Sequence, residues 1–168
     1  MYYGDVLREL NDKGVRYLVV GGVALVLHGV VRLTVDLDIM IDLGHENVMK
    51  FLSVMEGLGY RPRVPVDAKD FADPGKRREW MEEKNMRVFS FINPKKSANI
   101  IDVFVENPMD FEQAYASKKA VDADGFRIPL VSTEDLKGIK RASGREQDLA
   151  DIEALEEFER MLKDEEEK

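Results

Sequence analysis

Residues 15–41, VRYLVVGGVALVLHGVVRLTVDLDIMI, restrict the fold more than any other part of the chain. The β-branched run VRYLVV (15–20) is too short for a stable helix and is bounded by glycines, so it reads as a buried strand. After Gly21 and Gly22, the Ala and Leu of VALVLH (23–28) favour a short helix that stops at Gly29. LTVDLDIMI (33–41) alternates with period two and predicts a second strand. A strand, a glycine turn, a helix and a strand follow one another with no room for a long connection.

The rest of the chain continues the alternation. Apolar spacing predicts helices over 2–12, 46–58, 78–85 and 109–116, a Ser132-capped helix to about Ala142, and a last helix from Glu146 to about Leu162. Residues 87–92 and 99–106 read as two strands of a hairpin, and Asp124-Gly125 marks a turn within 120–131. Residues 61–78, with three prolines, read as irregular connection with one helical turn near Asp70. Helices among three or four strands predict an α/β or α+β fold, a small mixed sheet flanked by helices with a helical C-terminus. At 168 residues one domain suffices, taken as 1–163 with an acidic tail at 164–168.

Composition removes several function classes. The chain has no cysteine, which excludes disulfides and thiolate metal sites and suits a reducing cytoplasm, so any metal must sit on oxygen. No signal-peptide pattern opens it, and no apolar run approaches the roughly 18 residues of a membrane span, so a soluble cytoplasmic protein is expected. The formal charge is −8, yet residues 147–168 hold ten carboxylates against three cations, leaving the remainder close to neutral. Basic clusters at Lys76–Arg78, at Lys95 and Lys96, and from Lys137 to Arg145 keep local anion binding open, although there is no DNA-binding motif. High charge with only two Gln is a balance reported for thermophile proteins.

Asp36 and Asp38 have the period-two spacing that sends both carboxylates to one face of a strand. Two acids held so close repel unless a cation sits between them, and Mg²⁺ on carboxylates, waters and phosphates supplies that cation. By itself the pair is weak evidence and reads better as a half-exposed strand whose wet face carries Asp. Asp102 shifts the balance, because it lies inside the apolar run IIDVFV, where an unpartnered Asp is expensive to bury. Three carboxylates from neighbouring strands hold two metal ions about 4 Å apart, the clamp of phosphoryl transfer. Gly21 and Gly22, after a strand and before a helix, let the backbone approach a phosphate at a helix N-terminus, and in isolation read equally as a plain turn.

Taken together, VGG, thirteen residues and DLDI resemble the motif of the DNA polymerase β superfamily of nucleotidyltransferases. More narrowly, His28-Gly29, Arg32-x-Thr34 and the downstream IKRASGREQDLADIEAL are similar to its small branch of AbiEii-like toxins and aminoglycoside or lincosamide nucleotidyltransferases. The resemblance implies the nucleotidyltransferase fold, with Asp36, Asp38 and Asp102 as metal ligands and Asp102 activating an acceptor hydroxyl. It places Gly21, Gly22, Arg32, Thr34, Lys140, Arg145 and Asp148 at the nucleotide. Gly22 stands where many members carry serine. The implied activity is transfer of a nucleoside monophosphate from an NTP, with two Mg²⁺ or Mn²⁺ ions, to a hydroxyl on a tRNA, a partner protein or a small molecule. The alternative is a nucleotide-binding or antitoxin-type module that no longer turns over.

Overall fold

The computed structural model describes residues 2–168. In chain order the elements are α1 (Gly4–Asp12), β1 (Tyr17–Val20), α2 (Gly21–His28), β2 (Leu37–Ile41), α3 (His45–Gly57), β3 (Arg61–Pro62), a 3₁₀ turn (Ala68–Ala72) and α4 (Pro74–Lys84). There follow β4 (Val88–Asn93), β5 (Lys96–Phe104), α5 (Phe111–Ala116), β6 (Lys119–Ala123), β7 (Phe126–Leu130), α6 (Thr133–Ser143) and α7 (Glu146–Glu166). The strands form one mixed sheet in the order β3-β4-β5-β2-β1-β7-β6, with β2 parallel to β5 and β1 parallel to β7.

The sheet has seven strands among the described residues, more than the three or four that periodicity predicts. The additional ones are those with little apolar alternation to read. β3 is two residues long, and β6 lies on the sheet edge with no buried side chain. Asp124 and Gly125, both at positive φ, make the tight turn that joins β6 to β7. The irregular segment expected over 61–78 is more ordered than its prolines suggest. Pro74 occupies the first turn of α4, where its missing N–H costs nothing, and Asp73 caps that helix by accepting from the Gly75 N–H at 2.8 Å. At the C-terminus α7 continues to Glu166, through most of the segment expected as a tail.

One face of the sheet is closed by an aromatic core. Phe51 of α3, Phe71, Trp80 of α4, and Phe89 and Phe91 of β4 are all buried, with Trp80 stacked on Phe89 at 5.0 Å between ring centroids and Phe51 edge-on to Phe91 at 5.6 Å. The side chains of β4 and β5 that turn to the other face, Val88, Ser90, Ile92, Ile100, Asp102 and Phe104, are only half-buried. That open face is where chemistry has room. Among the described residues no helix is long and apolar enough to cross a membrane.

The strand expected over 33–41 begins only at Leu37. Residues 31–35 keep a strand-like alternation, with Val31, Leu33 and Val35 outward, but have no partner in the sheet. Their place is set instead by Tyr3, whose hydroxyl donates to the Val35 carbonyl at 2.6 Å and accepts from the Ile100 N–H at 3.1 Å. Burial pushes the phenol up to about 12, so it stays a neutral donor. Tyr3→Phe leaves both backbone groups unpaired and is expected to cost about 1–3 kcal/mol in urea denaturation. It is also expected to speed amide exchange at Ile100.

Candidate active site

Strand register assembles the carboxylates. Asp38 of β2 lies opposite Asp102 of the parallel strand β5, and Asp102 lies opposite Ser90 of β4, so the three side chains form one lateral row on the open face. Ser90 Oγ donates to Asp102 Oδ1 at 2.5 Å, and Asp38 and Asp102 hydrogen-bond to each other. Burial pushes Asp38 up to about 7, the charges of Asp102 and Asp36 add to the rise, and those of Lys140 and Arg145 oppose it. Asp102 is raised as well, by burial first. The Ser90 hydrogen bond works against that rise, Asp36 adds to it, and the Arg63 guanidinium opposes it.

The structure brings the expected triad together only in part. Asp36 sits in the lead-in to β2, outside the strand, where its charge reaches both other acids. Among the described residues no set of three His, Asp or Glu groups is gathered in ion-holding geometry. The dyad is therefore Asp38 with Asp102, and Asp36 stands beside it.

The two glycines open α2 rather than preceding it, and each is required by a side chain lying on it. Gly21 has φ +65°, and a Cβ there would come within 2.2 Å of Asp38 Oδ2. At Gly22 a Cβ would meet Thr34 Oγ1 at 2.4 Å and Thr34 Cβ at 2.8 Å. The N-cap is Val20, which offers no side-chain oxygen, so the first N–H groups of α2 have no capping partner beside Asp38. A serine at position 22 would overlap Thr34 unless Thr34 shifts, because the Thr34 hydroxyl occupies the space.

A second cluster, built by α6 and α7, flanks the dyad. Lys140 is buried, and its ammonium donates to Asp151 Oδ2 at 2.9 Å and to Asp148 Oδ1 at 3.4 Å. Asp151 also forms an ion pair with Arg32, Nε to Oδ1 at 3.1 Å, and accepts a hydrogen bond from Gln147 Nε2 at 3.1 Å. Arg145 Nε donates to Asp148 Oδ2 at 2.9 Å, although most of the Arg145 side chain is exposed. Burial opposes ionisation of Asp148, but hydrogen bonds from Arg145 and Ser143 and the charge of Lys140 outweigh it and hold its pKa below the usual range. Arg32 Nη1 is buried with no protein partner. Arg32, Thr34, Lys140, Arg145 and Asp148 therefore all gather around the glycine turn and the dyad. Sequence reasoning passed over Ser90, Arg63 and Asp151. For Asp151 the available signals were its place in the segment IKRASGREQDLADIEAL and the spacing Asp148-x-x-Asp151 on a helix. His28 is structural, its Nε2 2.8 Å from the Val131 carbonyl.

Two outcomes test this geometry. Gly22→Ser is expected to destabilise by about 1–3 kcal/mol through overpacking, and a Thr34→Gly background should relieve most of that in a double-mutant cycle. Asp38 holds its proton more tightly folded than unfolded, so the stability it contributes is present below its ordinary 3.8 and is lost as pH rises through about 7. Urea unfolding of Asp38→Asn should show a flatter dependence across that window than the parent chain.

Several solved structures share this fold. The lincomycin-bound lincosamide antibiotic adenylyltransferase LnuA superposes with a TM-score of 0.60 at 19% identity, over 92% of this chain and 94% of that one. ANT(2″)-Ia in complex with adenylyl-2″-tobramycin gives 0.57 at 14% identity, over 90% and 83%. An antigenic nucleotidyltransferase-like protein from Paracoccidioides brasiliensis gives 0.55 at 15% identity, over 89% and 71%. No curated protein matches the sequence. The glycine turn, the aspartate dyad and the α6–α7 cluster all fall within residues 5–161, which match the model of the nucleotidyltransferases of unknown function (DUF6036), and the chain belongs to that enzyme family.

Proposed function

We propose that the protein moves a nucleoside monophosphate from an NTP to an acceptor hydroxyl, with a divalent metal ion and release of pyrophosphate. The observation that carries this reading is the packing of Asp38 against the uncapped start of α2, beside Asp102. The free N–H groups and positive dipole end of a helix attract phosphate, and a metal ion would offset the repulsion between that phosphate and the neighbouring carboxylate. The fold neighbours LnuA and ANT(2″)-Ia, described as a lincosamide adenylyltransferase and as a complex with adenylyl-2″-tobramycin, support an NTP donor.

The donor set fits a hard cation. Asp38 and Asp102 are adjacent oxygen donors whose pKa values are raised by burial first and by neighbouring carboxylate charge after it, so a bound cation would favour their ionised form, and Asp36 stands within reach of their field. Bound there, Mg²⁺ or Mn²⁺ would neutralise phosphate charge and polarise the phosphorus centre. Asp38 and Asp102, with Asp36 beside them, would hold the ion, and phosphate and water would complete its shell.

The chain's own groups do the rest. The free N–H groups of α2 hold the triphosphate, with the Thr34 hydroxyl over Gly22. Lys140, fixed by Asp148 and Asp151, keeps positive potential on the nucleotide side, and the exposed Arg145 reaches over it. Asp102, oriented by Ser90, takes the proton of the acceptor hydroxyl. The acceptor oxygen bonds to the α-phosphorus, the bond to the β-phosphate bridging oxygen breaks, and pyrophosphate leaves. Positioning supplies much of the rate, since this reaction asks little covalent chemistry of a protein.

Asp38→Asn is expected to reduce NTP-dependent pyrophosphate release to background, and Asp102→Asn to lower it by roughly 10²–10⁴-fold, with folding intact by circular dichroism. Full activity in Asp38→Asn would falsify the assignment.

A further inference from the structure

The row that contains the dyad extends to the sheet edge. Arg61 of β3 lies opposite Ile92, and the Arg63 N–H donates to the Ser90 carbonyl at 2.9 Å, so β3 continues along β4 as far as Ser90. Opposed residues of an antiparallel pair share a face, which puts Arg61 with Ile92 and Arg63 with Ser90 on the open side of the sheet. Across the open face the order is thus Arg63, Ser90, Asp102 and Asp38, with Arg61, Ile92 and Ile100 forming the neighbouring row. Arg63 lies two strand spacings, about 10 Å, from Asp102, and its charge is felt there.

The cations on the two sides of the dyad are treated differently. Lys140, Arg145 and Arg32 are each held by Asp148 or Asp151. Arg61 and Arg63 are exposed, and among the described residues neither forms an ion pair. The acidic excess of the chain does not cancel them, since most of it belongs to α7, which packs on α6 at the nucleotide side. Two free guanidiniums beyond the catalytic base repel a cationic acceptor and match phosphate oxygens in a bidentate fork. The half-buried Ile92 and Ile100 between them and the dyad give a sugar or base an apolar surface to lie on.

Resting on the nucleotidyltransferase reading above, we propose that the acceptor is the end of a polynucleotide, its terminal hydroxyl at Asp102 and its backbone phosphates on Arg61 and Arg63. The two arginines lie one pleat repeat apart, about 7 Å, so they contact successive phosphates of one strand. The bond made is the phosphodiester already described, from the terminal hydroxyl oxygen to the α-phosphorus of the NTP.

The test uses the full chain, α-labelled NTPs with Mg²⁺, and three separate acceptor pools: total RNA with single-stranded DNA oligonucleotides, cell protein, and a small-molecule extract. The parent chain is expected to label the polynucleotide pool. The double variant Arg61→Ser, Arg63→Ser should lose about tenfold or more of that labelling and lower the slope of log affinity against log salt by about 1.4, the share of two phosphate contacts on a single strand. Arg61→Lys with Arg63→Lys, which keeps both charges, should retain most of the labelling and the slope. The thermal shift with Mg-NTP should be equal in all three proteins. Label confined to protein or small molecules, or equal RNA labelling by the Ser variant, overturns the acceptor proposal and leaves the donor reading standing. Absence of any Mg-NTP shift in the parent chain overturns both.

Discussion

The structure depends on one close approach, that of the Asp38 carboxylate to the Cα of Gly21. The start of α2 comes so near β2 that a single added methyl group at position 21 would overlap a carboxylate oxygen. The contact fixes the angle at which α2 leaves the sheet and sets its unpaired N–H groups beside the one carboxylate that register has placed against Asp102. Burial at that position, with the charges of Asp102 and Asp36 added to it, is why Asp38 holds its proton up to about 7. Such an arrangement is costly for folding, and perturbed acids of this kind cluster at functional sites.

The C-terminal helices answer that charge from the other side. Lys140 is buried between two acids of α7, and those acids in turn hold Arg32 and Arg145. Each buried carboxylate has cationic partners, so the cluster is rigid while its field still reaches Asp38. The loop of residues 31–35 is tied into it through Arg32 and into the sheet through Tyr3, which places Thr34 over Gly22. On the proposed reading, the nucleotide side would be assembled from α2, the loop, α6 and α7, and the acceptor side would be the open stretch of sheet ending in β3.

Much of this was legible beforehand, and the exceptions have physical causes. Strands β1, β4 and β5 and most helices follow from apolar periodicity, because burial on one face writes itself into the sequence. β3, β6 and the true start of β2 do not follow, since two of those strands bury almost nothing and residues 31–35 imitate a strand without pairing. Gly21 and Gly22 look like a turn before a helix and are instead its first residues. The absence of serine at position 22 reads locally as a missing hydroxyl. In space the Thr34 hydroxyl fills that place.

By itself the sequence determined that carboxylates stand in or beside apolar strands, that paired glycines lie where a strand gives way to a short helix, and that any metal here sits on oxygen, because cost of burial and backbone freedom are properties of residue types. Tertiary structure alone decided that Asp102 lies opposite Asp38 while Asp36 stays outside the strand, since strand register joins residues more than sixty positions apart. It also decided which of the ten acids between residues 147 and 168 matter. Only Asp148 and Asp151 are buried by the packing of α7, and a run of acids on one helix carries no mark of which face a neighbouring helix will cover.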